Sequence, residues 1–287
     1  MKIPARWKQS KWLRWLKPIK RWFFPPPPAV PIPPMLVPPH LTGIVEPPPR
    51  IHRMAPSERA RFLQSVSLND LVDQIASPDI NLRVKQVLNH LSHSPCDIPV
   101  SAEHQKLDGK YWDSRHALTW YVWRFRPATY LEIAPRNQFS AAMVALNSQE
   151  TSLISFHVPP KGDPINNFDT DVILQELTRC GHCGPITFFA SKGSDEPLLY
   201  LSRRPWRSAA GPVARGDFDV MFVNDGADDK SLYRNLKKLL QHCAPGGMVL
   251  VKTRPGNASW ARLQQRILNF RYLTLAEANL GLAFRIC

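Results

Sequence analysis

The chain is short of glycine, cysteine and acid. It has 13 glycines in 287 residues, where average usage would give about 20. No glycine at all lies between Gly109 and Gly162. No loop in that span can rely on glycine for a positive φ or for close approach of the backbone to a ligand. Five cysteines, Cys96, Cys180, Cys183, Cys243 and Cys287, are few for a chain of this length and odd in number. They exclude a disulfide-framed fold and read as reduced thiols. No run of 18 apolar residues occurs, so no helix is expected to span a bilayer. The basic residues between Met1 and Phe24 break every apolar stretch, which argues against a secretory leader and makes the cytoplasm the expected compartment.

What the chain has in excess is proline and positive charge. There are 29 prolines and a formal net charge of +14, and neither is evenly spread. Residues 1–50 hold 14 prolines and nine Lys/Arg against the single acid Glu46. The remainder has near-ordinary charge and is long enough to bury a full α/β core. Within residues 1–24, Trp7, Trp12, Trp15 and Trp22 alternate with Lys and Arg, and Trp12, Leu16, Ile19 and Phe23 share one helical face that Pro18 would kink. Such a head suits a solvated basic tail, an anionic membrane interface that would make the protein peripheral, or a nucleic-acid or protein groove; no specific nucleic acid is predicted. Residues 25–50, with PPPPAVPIPPMLVPPH, are expected to form an extended polyproline linker.

Residues 51–110 read as a helical cap over the first strand of the body. Ser77-Pro78 supplies an N-cap and a first-turn proline, and Ile80, Val84, Val87, Leu88 and Leu91 form an apolar stripe. An aromatic-rich helix over 114–126 should stop before Pro127. Across 111–287 strands alternate with helices: strands are expected at 129–134, 152–158, 186–190, 218–224, 248–253, 271–275 and 282–286. Helices are expected at 140–146, 169–180, 230–242 and 259–268. Alternation of this kind implies an α/β fold, a doubly wound, Rossmann-like and mostly parallel sheet. The short segment at Glu277-Ala278-Asn279 allows no helical crossover, so the last strand must return antiparallel.

Three segments carry a family resemblance. Tyr130-Leu131-Glu132-Ile133-Ala134-Pro135-Arg136-Asn137-Gln138-Phe139-Ser140 resembles the first motif of the class I S-adenosylmethionine-dependent methyltransferases. Phe218-Asp219-Val220-Met221-Phe222-Val223-Asn224-Asp225 resembles their fourth-strand motif, and Ala244-Pro245-Gly246-Gly247-Met248-Val249-Leu250 the turn into strand five. The resemblance implies methyl transfer from S-adenosyl-L-methionine to a small-molecule or glycan/lipid acceptor. It implies a cofactor pocket lined by Glu132, Ala134, Asn137, Ser140, His157 and Asn224, with Asp225 as the catalytic acid-base residue.

Two departures stand out. The first-motif loop has no glycine, and His157 stands where the family carries the acid that accepts bonds from the ribose hydroxyls; a neutral imidazole accepts only one. A catalytically silent binding or assembly module with the same fold is the alternative these departures motivate. Asp225-Gly226-Ala227-Asp228-Asp229-Lys230 is similar to a stretch of the metal-dependent O-methyltransferases. The second half of that metal site reads Val251-Lys252-Thr253 here, so no metal is expected. Asp228 and Asp229 instead suit the start of a helix. Cys180-Gly181-His182-Cys183 has redox spacing but follows a helix, and reads as a helix-ending turn. Arg203-Arg204-Pro205-Trp206-Arg207 reads as a loop or substrate lid. Nothing in the sequence sets an oligomeric state.

Overall fold

A computed structural model describes residues 53–92, 113–133, 139–157, 170–179, 181–190, 197–198, 201, 206–208, 211–213, 218–224, 229–253, 256–275 and 278–287. They belong to the compact unit Ile44–Cys287. The basic head and the proline linker lie outside the described residues, apart from the expectations stated for them.

Three helices open the described chain: α1 (Pro56–Ser65), α2 (Leu68–Ile75) and α3 (Pro78–Ser92). Local chemistry explains their ends. Glu58 reaches back to the Ala55 N–H at 3.1 Å, and Ser67 accepts from Asp70 N–H at 3.1 Å. Pro78 opens α3 as the sequence requires. The aromatic helix α4 (Ser114–Phe125) ends two residues before Pro127 and is buried on nearly every side, including Trp120, Tyr121 and Phe125. Among the described residues α2 and α3 pack on α4, and α1 packs on the turn at Gly246. The sealed apolar faces are substantial: Leu63, Leu71, Ile75, Val84 and Val87 have no exposed surface, and each such side chain stabilises by about 1.5–3 kcal/mol.

The main sheet contains β1 (Thr129–Ile133), β2 (Ser152–His157), β3 (Ile186–Ala190), β6 (Phe218–Val223), β7 (Cys243–Lys252), β8 (Phe270–Leu275) and β9 (Leu280–Arg285), in the order β3-β2-β1-β6-β7-β9-β8. Only β9 runs antiparallel to its neighbours. The expected sheet is the one that forms. A short antiparallel ribbon, β4 (Trp206–Ser208) with β5 (Gly211–Val213), occupies the connection read as a loop. The β7 strand begins five residues earlier than its apolar run suggests, because the Ala244-Pro245-Gly246-Gly247 turn joins the ladder across a register shift between Phe218 and Val220.

Helices α5 (Phe139–Asn147), α6 (Thr170–Arg179), α7 (Asp229–Leu240) and α8 (Ala258–Arg266) complete the layers. Alternate residues of the central strands divide the core. Tyr130, Val220 and Phe222 face the side of α3, α4 and α5, while Leu131, Ile133 and Met221 face that of α7 and α8. Both faces of β1 and β6 are buried, so both strands are almost continuously apolar. Each carries one acid, Glu132 and Asp219.

Asp219 sits near the start of β6. Its carboxylate accepts from the Arg59 guanidinium, from the Ala128 N–H at 2.6 Å and from the Thr129 N–H at 3.3 Å, and its own N–H donates to Thr129 Oγ1 at 3.0 Å. The Arg59 and Asp219 side chains are 1% and 7% exposed. Beside them Tyr121 Oη donates to the Gly246 carbonyl. Gly246 has φ +69°, and a Cβ there would lie 2.5 Å from the Arg59 Cβ. Replacing Asp219 with alanine strands a buried guanidinium, and chemical denaturation should register a loss of about 3–5 kcal/mol. Gly246→Ala should cost about 2 kcal/mol or more through strain and overlap. Wild-type unfolding curves for either variant would contradict this account of the clasp.

Candidate active site at the strand ends

Glu132 lies one residue before the end of β1, opposite Ser155 of β2 and Phe222 of β6 in the strand registers. Its side chain has no exposed surface. Three hydroxyls close around the carboxylate. Ser155 Oγ donates to one oxygen at 2.5 Å; Ser140 Oγ at 2.5 Å and Tyr130 Oη at 2.9 Å donate to the other. Each donor comes from a different position: Ser155 from β2, Ser140 from the first turn of α5, and Tyr130 from the same face of β1 two residues earlier. Burial pushes the Glu132 carboxyl above its ordinary range, against the downward pull of the three hydroxyl bonds.

Glu132 and Ser140, both expected to line the cofactor pocket, are in contact with each other: three hydroxyls enclose the Glu132 carboxylate, and Ser140 is 8% exposed with its hydroxyl donating to it. They tie α5 to β1 and β2. Tyr130 and Ser155 were missed as members of this group. Their signal was present: Tyr130 shares a strand face with Glu132, and Ser155 interrupts an otherwise apolar run, Leu153 to Phe156.

Asn224 follows β6 at the point where the sheet reverses its winding order. It is partly exposed, and its N–H donates to the Ile133 carbonyl at 3.0 Å, fastening the end of β6 to the end of β1. His157 closes β2, paired in register with Ala190; its side chain lies outside the description. Ala134, Asn137 and Asp225 lie outside the described residues. The helix α5 begins at Phe139, directly after the first-motif segment in sequence.

The Cys180-Gly181-His182-Cys183 turn ends α6. Gly181 has φ +86°, its N–H donates to the Thr178 carbonyl at 2.9 Å, and the His182 N–H donates to the Leu177 carbonyl at 3.0 Å. That pair of bonds is a Schellman cap, which explains the glycine without redox chemistry. Burial lowers the His182 pKa. Among the described residues no three His, Cys, Asp or Glu side chains are grouped to hold a metal ion.

A seven-stranded sheet whose strands, counted along the chain within it, run third, second, first, fourth, fifth, seventh and sixth, with the seventh reversed, has the class I methyltransferase fold. No family model matches the chain, and no curated protein does. Solved structures similar to it include the O-methyltransferase TomG from Streptomyces achromogenes, involved in tomaymycin synthesis and crystallised with SAM. That alignment is 14% identical, covers 74% of this chain and 91% of that one, and has a TM-score of 0.42. The SAH-bound methyltransferase PaMTH1 of Podospora anserina is 12% identical over 76% of this chain and 94% of its own, with a TM-score of 0.42. An O-methyltransferase from Bacillus cereus in complex with SAH is 12% identical over 78% and 99%, with a TM-score of 0.41. The class of fold stands on the strand order itself.

The cage makes a two-part prediction. Glu132→Ala leaves three buried hydroxyls without their acceptor and should destabilise by about 3 kcal/mol or more, whereas Glu132→Gln keeps the shape and should stay within about 1 kcal/mol of wild type at acid pH. Because the folded pKa is raised, Glu132 favours the native state fully below its unfolded value of about 4.3 and less as pH rises through its folded value. The stability of Glu132→Gln relative to wild type should therefore rise with pH from about 4.3 upward. Denaturation curves with the opposite slope would refute the assignment.

Proposed function

We propose that the chain transfers a methyl group from S-adenosyl-L-methionine to a small-molecule or glycan/lipid acceptor. The observation that carries this reading is the position of Asn224 and Ile133. They mark the carboxyl ends of β6 and β1 at the reversal of strand order, which is where open α/β sheets bind ligands. The described residues fit such a group in two respects. Asn224 is partly exposed at this point, and α5 starts directly after the first-motif segment in sequence, a helix N-terminus of the kind that favours an anionic group. When bound, S-adenosyl-L-methionine would supply the electrophilic methyl carbon.

The protein's own contribution is positioning. The Glu132 cage fixes α5 against β1 and β2. Asn224 offers one donor and one acceptor to a bound ligand. His157, at the end of β2, offers an imidazole to the ribose. Asp225 accepts the proton that an acceptor hydroxyl or amine loses as its oxygen or nitrogen takes up the methyl group. Residues 1–24 hold the protein at the anionic face of a membrane, with the linker as spacer.

A second reading, a silent binding or assembly module, draws on the sealed Glu132 carboxylate and the glycine-free loop. Calorimetric titration separates the two. Methyl transfer requires S-adenosyl-L-methionine to bind with a micromolar-range dissociation constant and Asn224→Ala to weaken it about tenfold, the worth of one hydrogen bond. Absence of heat at millimolar ligand leaves the silent module. For the head, co-sedimentation with anionic vesicles should be lost when residues 1–24 are removed; equal binding by both proteins would reject the membrane role.

A further inference from the structure

At the opposite end of β1 from Asn224, two guanidinium groups stand side by side with donors to spare. Arg83 of α3 donates through Nε to Asn147 Oδ1 at 2.7 Å, and Arg126, directly after α4, donates through Nη1 to the Asn147 carbonyl at 3.3 Å. One residue at the end of α5 thus anchors both. The Arg83 guanidinium also lies 5.8 Å from the centre of the Trp123 ring, one turn before Arg126 on α4. Burial and the Arg126 charge together bring Arg83 down to about 10.

Four nitrogens of this cluster are buried and have no hydrogen-bond partner among the described residues: Arg83 Nη2, Arg126 Nε, Arg126 Nη2 and Trp123 Nε1. Leaving a buried donor unpaired forfeits its hydration with no bond in return, so a fold that keeps four together needs a reason. The acid that interacts with Arg126, Glu150, is 79% exposed and lies 3.9 Å from Arg53, so it does not take up these donors. Arg126 itself is held at φ +50°, a left-handed position at a helix end that usually falls to glycine.

We propose that Arg83, Arg126 and Trp123 form a binding site for a phosphate-type oxyanion, separate from the crevice at the other end of β1. A tetrahedral dianion matches both the two formal charges and the four donors. A carboxylate, with two oxygens and one charge, leaves part of both unmet. The same group could reach the site as free phosphate or as the headgroup of a phospholipid, and the two sources can be told apart.

The test uses the full-length protein, with calorimetry and thermal unfolding in sodium phosphate against sodium chloride at matched ionic strength. Saturable phosphate binding with a rise in melting temperature is expected. Arg83→Gln and Arg126→Gln should each weaken binding about tenfold, and Trp123→Phe, which removes one N–H and preserves packing, about threefold. If the arginine variants fail to fold, Trp123→Phe decides. Dihexanoyl phosphatidic acid below its micellar concentration is the second probe: binding comparable to phosphate identifies a site open to lipid headgroups, and binding of phosphate alone one for the free anion. The proposal falls if wild type responds identically to phosphate and chloride, or if Trp123→Phe and the folded arginine variants bind phosphate as wild type does.

Discussion

The buried pair of Arg59 and Asp219 is the interaction on which the rest of the unit depends. Asp219 holds the base of β6 to the base of β1 through two backbone N–H groups, and Arg59 brings α1 onto both. Burying two charges confers little net stability by itself, because desolvation offsets most of the attraction. Its effect is specificity of placement. An apolar α1 could slide over β7, but a guanidinium with one carboxylate to reach cannot. The positive φ of Gly246 and the Tyr121 hydroxyl bond to its carbonyl complete the fit, because only a residue without Cβ lets α1 come so near.

Glu132 plays the corresponding part near the other end of β1. Both acids occupy central strands that are otherwise almost wholly apolar, and both are surrounded by donors, but the donors differ in kind. Asp219 meets a full positive charge and backbone N–H groups. Glu132 meets three neutral hydroxyls, so its burial is less compensated and its carboxyl shifts upward. The N-terminal end of β1 is the one that carries a formal ion pair, whereas its carboxyl end relies on a network of hydroxyls alone. Such networks specify geometry strongly when complete, since every partner depends on the others.

Most of the fold was legible in the sequence because its signals are local. Alternating apolar strands and amphipathic helices, the Ser77-Pro78 start of α3, the stop before Pro127 and the short connection before β9 are each decided within a few residues. What escaped is decided by distant partners. The packing of α1 on β7 depends on Arg59 meeting a residue 160 positions away, and no periodicity announces that. The site shows the same division. Glu132 and Ser140 were found as letters of a motif, yet the cage they share required Ser155, which only the strand register brings opposite Glu132. Trp206 to Val213 was read as loop because three-residue strands carry almost no periodicity.

The basic surplus also changes meaning once the fold is known. Composition assigned it mainly to residues 1–50, but the body keeps several arginines that are not simply solvated. Three of them, Arg53, Arg83 and Arg126, gather where α4 and α5 end. Helix C-termini carry partial negative charge, and that accounts for cations being drawn there. It accounts for the bonds to the Asn147 and Arg126 carbonyls, and for no more than those. The partial charge of two helix ends is about one electron in total, short of the charge on three guanidiniums even with Glu150 nearby. Arg59 shows what this fold does with a buried arginine whose place is purely structural: it supplies a carboxylate within reach. At the base of α4 and α5 the described residues supply only Glu150, exposed and 3.9 Å from Arg53, and the buried donors of Arg83 and Arg126 are the ones left for an oxyanion to take up.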